Sequence, residues 1–260
     1  MEYAFLLDMS RCIGCEACVV ACKTGNELPI GTQYIDLIEH TSGTYPDLQG
    51  GFQNHRCYHC IDASCVAVCP TGALFKEDGL TRLNSSACSG CGYCVQSCPY
   101  GIPKMENGRA TKCDGCASTV AGGELPWCVQ TCPAQALKYD QRDLILAEAH
   151  ERVAAIKGRY PNAQVYGETQ AGGLGLILVL PDDPEKLDIP ADPPPVPVVT
   201  DVWKNVVQPV SMGATALAAI GAGVLGIIAR RNHMAELRDI EEKELAGAIA
   251  GDSDAEEVQP

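Results

Sequence analysis

The chain has 260 residues, 16 of them cysteine, and its 19 basic and 33 acidic side chains leave a formal net charge of −14. So acidic a chain repels the phosphates that a nucleic-acid binder must neutralise, which excludes nucleic acid as a partner. With only 3 Phe and 2 Trp a large aromatic core is excluded too, and metal centres are the expected organisers of the cysteine-rich part.

Residues 1–140 hold every cysteine, in short loops separated by brief apolar runs. The opening MEYAFLLDMSRC does not read as a signal peptide: its apolar stretch is short, it lacks a basic flank, and cysteines follow at once. Motif I is Cys12, Cys15, Cys18 and Cys22; motif II is Cys57, Cys60, Cys65 and Cys69, followed by Pro70. Motif III is Cys88, Cys91, Cys94 and Cys98, followed by Pro99; motif IV is Cys113, Cys116, Cys128 and Cys132, followed by Pro133. Four groups of four account for all 16 cysteines, with no thiol left over.

Disulfide scaffolds rarely repeat cysteines two residues apart, so that use of the thiols is set aside. Zinc accepts tetrahedral sets of four thiolates, but it does not demand CxxCxxCxxxCP. Motif III reproduces that bacterial ferredoxin run in full, and motif I does so with Lys23 in place of the proline. The spacing has a mechanical cause. A tight loop turns three thiolates toward one cubane, and the fourth, three residues on, ligates the other cluster of a pair. The proline stops the following element and leaves that sulfur facing inward. Spacing alone leaves two pairings open: I with II and III with IV, or I nested with IV and II with III.

Beyond the cysteines, an amphipathic helix is expected from about Asp143 to Lys157, and strands at Gln164–Tyr166 and Gly175–Leu180. Pro181, Pro184, Pro190, Pro193, Pro194, Pro195 and Pro197 mark residues 181–201 as an extended, semi-rigid linker. From Val206 to Ala229 there are 24 residues without a charge, enough at 1.5 Å per residue to cross a lipid core of about 30 Å. Trp203 precedes the run, and Arg230 and Arg231 close it. A membrane helix is expected over 202–231, with an acidic tail over 232–260. Arg230, Arg231, Arg238 and Lys243 follow the span, while only Lys204 lies close before it, so the C-terminus is expected in the cytoplasm. Ala214, Ala218, Ala222 and Gly226 recur every four residues, placing small side chains in one stripe along the helix.

Sequence alone reveals no nucleophile or acid–base constellation outside the cysteines, and the chain is read as having no active site of its own. Asp62, His55, His59 and Lys104 lie near cysteines, but polar residues beside such loops are ordinarily solvated or hydrogen-bonding groups. Arg56, Lys104, Arg109 and Lys112 are candidates to raise nearby redox potentials, and equally candidates for plain surface charge. Backbone amides are the main expected donors to cluster sulfur.

The segments CIGCEACVVAC, CYHCIDASCVAVCPTGAL, CSGCGYCVQSCPYGIP and KCDGCA, with AEAHERVAAIKGRYPNAQVYG and DVWKNVVQP downstream, resemble the beta subunits of membrane-bound respiratory formate dehydrogenases. These belong to the four-cluster electron-transfer subunits of molybdenum and tungsten bis-pterin oxidoreductases. The resemblance covers about residues 1–231 and implies the nested pairing, with four [4Fe–4S] clusters. By position, one cluster takes Cys12, Cys15, Cys18 and Cys132, and a second takes Cys22, Cys113, Cys116 and Cys128. A third takes Cys57, Cys60, Cys65 and Cys98, and a fourth takes Cys69, Cys88, Cys91 and Cys94.

The implied fold class is α+β: two interlocked double-cluster ferredoxin-like domains plus one C-terminal transmembrane helix. One domain is formed by residues 1–56 with 113–180, the other by 57–112. The implied partners are a large molybdenum or tungsten bis-pterin catalytic subunit, a cytochrome b or other quinone-reactive membrane subunit, and the lipid bilayer. The first cluster is expected nearest the catalytic subunit and the fourth nearest the membrane. The cluster domain is expected on the outer, periplasmic face, exported with its catalytic partner. The same relay role for a membrane-bound hydrogenase or a polysulfide or sulfoxide reductase is the alternative.

Overall fold

Strand β1 (Tyr3–Asp8) is the organising element of this computed structural model, which describes residues 2–194, 202 and 206–253. It lies between β8 (Leu137–Gln141) and β10 (Leu176–Leu180), with β9 (Gln164–Tyr166) on the outer edge of β10. β1 is antiparallel to β8 and parallel to β10, pairing Phe5 with Leu176 and Leu7 with Leu178. Residues 176–180 read LILVL and are buried throughout, as expected for a strand covered on both faces.

Side-chain alternation sends the two faces of β1 and β10 to different partners. Ala4, Leu6, Ile177 and Val179 face helix α6 (Arg142–Ile156), which presents Ile145, Ala149, Val153 and Ile156 at helical spacing. Phe5, Leu7, Leu176, Leu178 and Leu180 face the cysteine-bearing half and share a core with Cys22, Cys57, Cys113 and Cys128. The sheet thus separates an aliphatic layer from a layer that contains cysteines. The expected helix and strands are present, each within a residue or so of the anticipated bounds.

Short helices carry many of the cysteines. Cys18 and Cys22 lie on α1 (Ala17–Gly25), which packs on α5 (Trp127–Gln130) bearing Cys128. A Cβ on Gly25 would stand 2.5 Å from the Trp127 ring, so glycine is what allows this approach. Cys65 on α2 (Ser64–Ala67) and Cys94 on α3 (Tyr93–Ser97) belong to a second packed pair of helices. A further short helix, α4 (Ala117–Ala121), follows Cys116.

Three hairpins fill the intervals: β2 (Asp36–Thr44) with β3 (Asp47–His55), β4 (Leu74–Glu77) with β5 (Leu80–Leu83), and β6 (Lys104–Glu106) with β7 (Arg109–Thr111). The last two turn on Asp78-Gly79 and Asn107-Gly108, all four residues at positive φ. Those pairs suit the two-residue type I′ turn whose twist matches the strands. The apolar runs between cysteine loops are therefore strands of hairpins, paired with their neighbours in the chain.

The proline-rich stretch departs from a free linker at its start. Residues Pro184–Leu187 form a 3₁₀ turn, and Leu187 and Ile189 are buried in the main core. Tyr166 Oη donates to the Pro190 carbonyl at 2.6 Å. Pro195, Pro197, Trp203 and Lys204 lie outside the described residues.

The second unit begins at Val202 and is dominated by helix α7 (Gln208–Ser253). Its segment Gln208–Ile240, 33 residues, is long and apolar enough to cross a membrane, and its apolar stretch is not buried within the molecule. The helix does not stop at Arg231, where the acidic tail was expected to begin. Between Gly226 and Gly247 there is neither glycine nor proline, and Ala, Leu, Met, Glu, Lys and Arg sustain a helix. Residues 254–260 lie outside the described part.

Candidate iron–sulfur sites

All sixteen thiols are free of disulfide bonds. Cys12, Cys15, Cys18 and Cys132 line one cavity, walled by Leu7 and Leu37 and reached by Asn54. Cys69, Cys88, Cys91 and Cys94 line another, beside Thr71 and Ala110. Cys22 lies near the sulfurs of Cys128 and Cys116 and within the influence of Cys113. Cys60 lies near Cys57, Cys65 and Cys98. The fold therefore gathers thiols of motifs I and IV in one cavity and thiols of motifs II and III in another.

The charges of other groups' sulfurs are felt as well: Cys128 acts on Cys18, Cys57 on Cys113 and Cys94 on Cys65. The two cavities lie near exposed residues, Cys15 and Ile13 for the first, Cys91 and Tyr93 for the second.

Loop conformation aims the sulfurs. The residue before the second cysteine takes the left-handed conformation in each motif: Gly14 at φ 70°, His59 at 50°, Gly90 at 74° and Gly115 at 74°. That turn points a backbone N–H back at the first sulfur, as from Gly90 to Cys88 Sγ and from Gly115 to Cys113 Sγ, each at 3.4 Å. Gly90 is also demanded by space, since a Cβ there would lie 2.3 Å from the Gly108 carbonyl oxygen.

Further donors converge on sulfur from outside the motifs. Ala110 N–H reaches Cys88 Sγ and Ala136 N–H reaches Cys132 Sγ, both at 3.3 Å. Two side-chain amides join the expected backbone donors. Asn54 Nδ2 donates to Cys18 Sγ at 3.0 Å and Asn26 Nδ2 to Cys22 Sγ at 3.5 Å. Neither asparagine stands out in the sequence. Asn26 follows Cys22 by four residues, a helical distance; Asn54, on a hairpin strand far from Cys18, carries no local signal.

The candidate cations divide cleanly. Lys104 is exposed and pairs with Asp36 at 3.0 Å, and exposed Arg109 donates to the Ser85 carbonyl. Arg56 and Lys112 are buried. Arg56 Nη1 donates to Cys128 Sγ at 2.9 Å, its guanidinium lies 4.1 Å from the Phe5 ring centroid, and its Nε and Nη2 have no partner among the described residues. Lys112 Nζ donates to the carbonyls of Thr81 and Cys113, each at 2.6 Å. Asp62 is exposed, and half-buried His55 meets the Tyr58 ring edge-on. His59 is wholly buried; burial first, then the charges of Lys112, Arg56, Lys76 and Arg82, holds its pKa well below the ordinary value.

Thiol chemistry in this setting requires a counter-charge. Burial pushes Cys18 up to about 11, against the hydrogen bond from Asn54, and pushes Cys22 up to about 12 with the sulfurs of Cys128 and Cys116 adding to it. Thiolates gathered this closely become favourable only against cationic iron or a buried positive group such as Arg56. Among the described residues no three Cys, His, Asp or Glu side chains converge as closely as the ligands of one metal ion. Sets of four thiols with N–H donors on sulfur fit a polynuclear iron–sulfur cluster.

Comparison with known proteins agrees with this donor set. Two matches to 4Fe-4S dicluster domain families cover residues 11–73 and 48–142. The chain is 34% identical over 248 residues to the formate dehydrogenase iron-sulfur subunit of Haemophilus influenzae, covering 85% of this chain and 79% of that protein. It is 33% identical over 254 residues to the nitrate-inducible formate dehydrogenase iron-sulfur subunit of Escherichia coli K12, covering 86% and 83%. To a subunit of the anaerobic dimethyl sulfoxide reductase of the same organism it is 37% identical over 166 residues, covering 60% and 80%. With iron–sulfur domains across the cysteine region and likeness extending over most of its length, this protein belongs to the family of formate dehydrogenase iron–sulfur subunits.

Proposed function

We propose that this chain relays electrons through four [4Fe–4S] clusters between a molybdenum or tungsten formate dehydrogenase-type catalytic subunit and a cytochrome b or quinone site in the membrane. The observation that carries the reading is that Cys12, Cys15, Cys18 and Cys132 line one cavity and Cys69, Cys88, Cys91 and Cys94 another, each set drawn from two motifs. It supports separate multi-thiol redox sites, one beside exposed Cys15 and another beside exposed Cys91. The ligand sets proposed are Cys12, Cys15, Cys18 and Cys132; Cys22, Cys113, Cys116 and Cys128; Cys57, Cys60, Cys65 and Cys98; and Cys69, Cys88, Cys91 and Cys94.

When bound, such clusters supply one-electron redox chemistry at potentials set by hydrogen bonds, charge and burial. The residues of this chain do the rest. Asn54, Asn26 and the loop amides donate to sulfur, Arg56 and Lys112 hold positive charge inside, and the aliphatic walls exclude water. No catalytic step is assigned to the chain itself. Helix α7 anchors it as a single span, with the arginines after the apolar run in the cytoplasm and the cluster domain on the outer face, exported with its catalytic partner. The likeness to a dimethyl sulfoxide reductase subunit favours one second reading, the same relay serving a sulfoxide reductase.

Anaerobic purification of the whole complex tests both levels. Iron and acid-labile sulfide are each expected at about sixteen per chain, and the whole complex is expected to reduce quinone with formate. Stoichiometric zinc with little iron would end the cluster reading; sulfoxide turnover without formate turnover would favour the second partner.

A further inference from the structure

Three of the four left-handed positions before the second cysteine are glycine, and the fourth is His59. A bulky residue there is strained, and what the imidazole does accounts for it. The ring leaves its own ligand loop, Cys57 to Cys60, and enters the centre of the molecule. There it stacks near Phe5 with centroids 6.0 Å apart. Thr81 N–H donates to Nδ1 at 3.1 Å, which leaves the ring proton on Nε2. Nε2 lies 3.8 Å from Cys113 Sγ, within reach of the longer hydrogen bonds that sulfur accepts. A glycine clears the space: a Cβ on Gly175 would stand 2.8 Å from the His59 Cβ.

Resting on the ligand sets proposed above, we propose that His59 is a positioning residue joining the second and third clusters. Its backbone belongs to the loop that holds the third, and its Nε2–H donates to Cys113 Sγ of the second. Reduction by one electron adds negative charge to the thiolates of that site, as the neighbouring site is oxidised by the same electron. An N–H aimed at Cys113 favours the reduced state, so His59 holds the potential of the second cluster up. No proton moves. Because the proton on Nε2 is dictated by a backbone donor in β5, the hydrogen bond has one polarity.

The test uses the membrane-purified complex with His59→Gly, the residue natural at the three matching positions, and His59→Asn, which tolerates the left-handed conformation but is shorter than the ring that reaches Cys113. Each is titrated potentiometrically by EPR once its iron and sulfide equal those of the unaltered complex. One cluster signal, the same one that Cys113→Ser alters, is expected to move down. Its reduced-to-oxidised ratio at the original midpoint should fall about tenfold, equivalent to about 59 mV for one electron. Unmoved midpoints in an iron-replete variant overturn the proposal. So does iron loss in both variants, which would make His59 a residue of folding alone. An iron-poor unaltered complex would instead overturn the relay reading on which this rests.

Discussion

Arg56 donates from Nη1 to the sulfur of Cys128 at 2.9 Å, although the two residues stand 72 positions apart. Arg56 follows the strand that leads into motif II, and Cys128 lies on α5 in motif IV. The contact therefore ties the segment entering motif II to motif IV, and the buried guanidinium also feels the charges of Cys113, Cys18 and Cys22.

Replacing this cation should cost both stability and potential. Removing one partner of a buried charge pair destabilises by about 3–5 kcal/mol. Arg56→Gln should accordingly lower the temperature at which the clusters bleach, and lower the midpoint of one cluster. Arg109→Gln, at an exposed site, should change stability by no more than about 0.5 kcal/mol. Thermal bleaching followed in the visible band compares the two; equal effects would deny Arg56 its special place.

Cys132 shares a cavity with Cys12, Cys15 and Cys18, so Cys132→Ser should perturb that distant site and spare the others. Serine oxygen can still ligate, so a shifted potential is expected more than outright loss. An EPR titration in which the Cys57 or Cys88 sites changed, with this one intact, would contradict the nested sets.

Iron removal should loosen the molecule unevenly. In the small core around Cys69 and Cys94 the other buried residues are Ala73, Leu74 and Ala110, whereas the α6 face of the sheet is aliphatic and free of cysteine. After chelation under oxidising conditions, hydrogen exchange should accelerate first in α2, α3 and β5, while β10 and α6 stay protected. Loss of protection at one uniform rate would show that the aliphatic layer does not stand without metal.

On α7, Ala218 and Ala222 belong to the exposed small-residue stripe. Close backbone approach is what joins helices in lipid, so on the proposed assembly Ala218→Leu with Ala222→Leu should keep insertion and weaken docking to the proposed cytochrome subunit. Detergent-solubilised complexes are then expected to lose haem, and formate-to-quinone activity should fall while dye-linked activity persists. Leucines on the opposite face producing that outcome, with these two silent, would turn the stripe toward lipid.

What sequence alone determined is local. The CxxC spacings, the uncharged run from Val206 and the periodicity of α6 all express the reach of a few residues, which backbone geometry constrains directly. The turns at Asp78-Gly79 and Asn107-Gly108 are equally local in cause, though it was the structure that brought them out as hairpin turns. Tertiary structure decided the rest, because it concerns residues far apart in the chain. Cys12 meets Cys132 because β1 and β8 pair and α1 packs on α5. Arg56 and Arg109 both stand within four residues of a cysteine, yet one is enclosed beneath Phe5 and the other faces solvent. Burial depends on what the sheet and hairpins bring overhead, and no spacing along the chain records it. His59 shows both halves at once: its place in a CxxC loop is written in the sequence, while its reach to Cys113 exists only where the strand carrying Thr81 turns its ring inward.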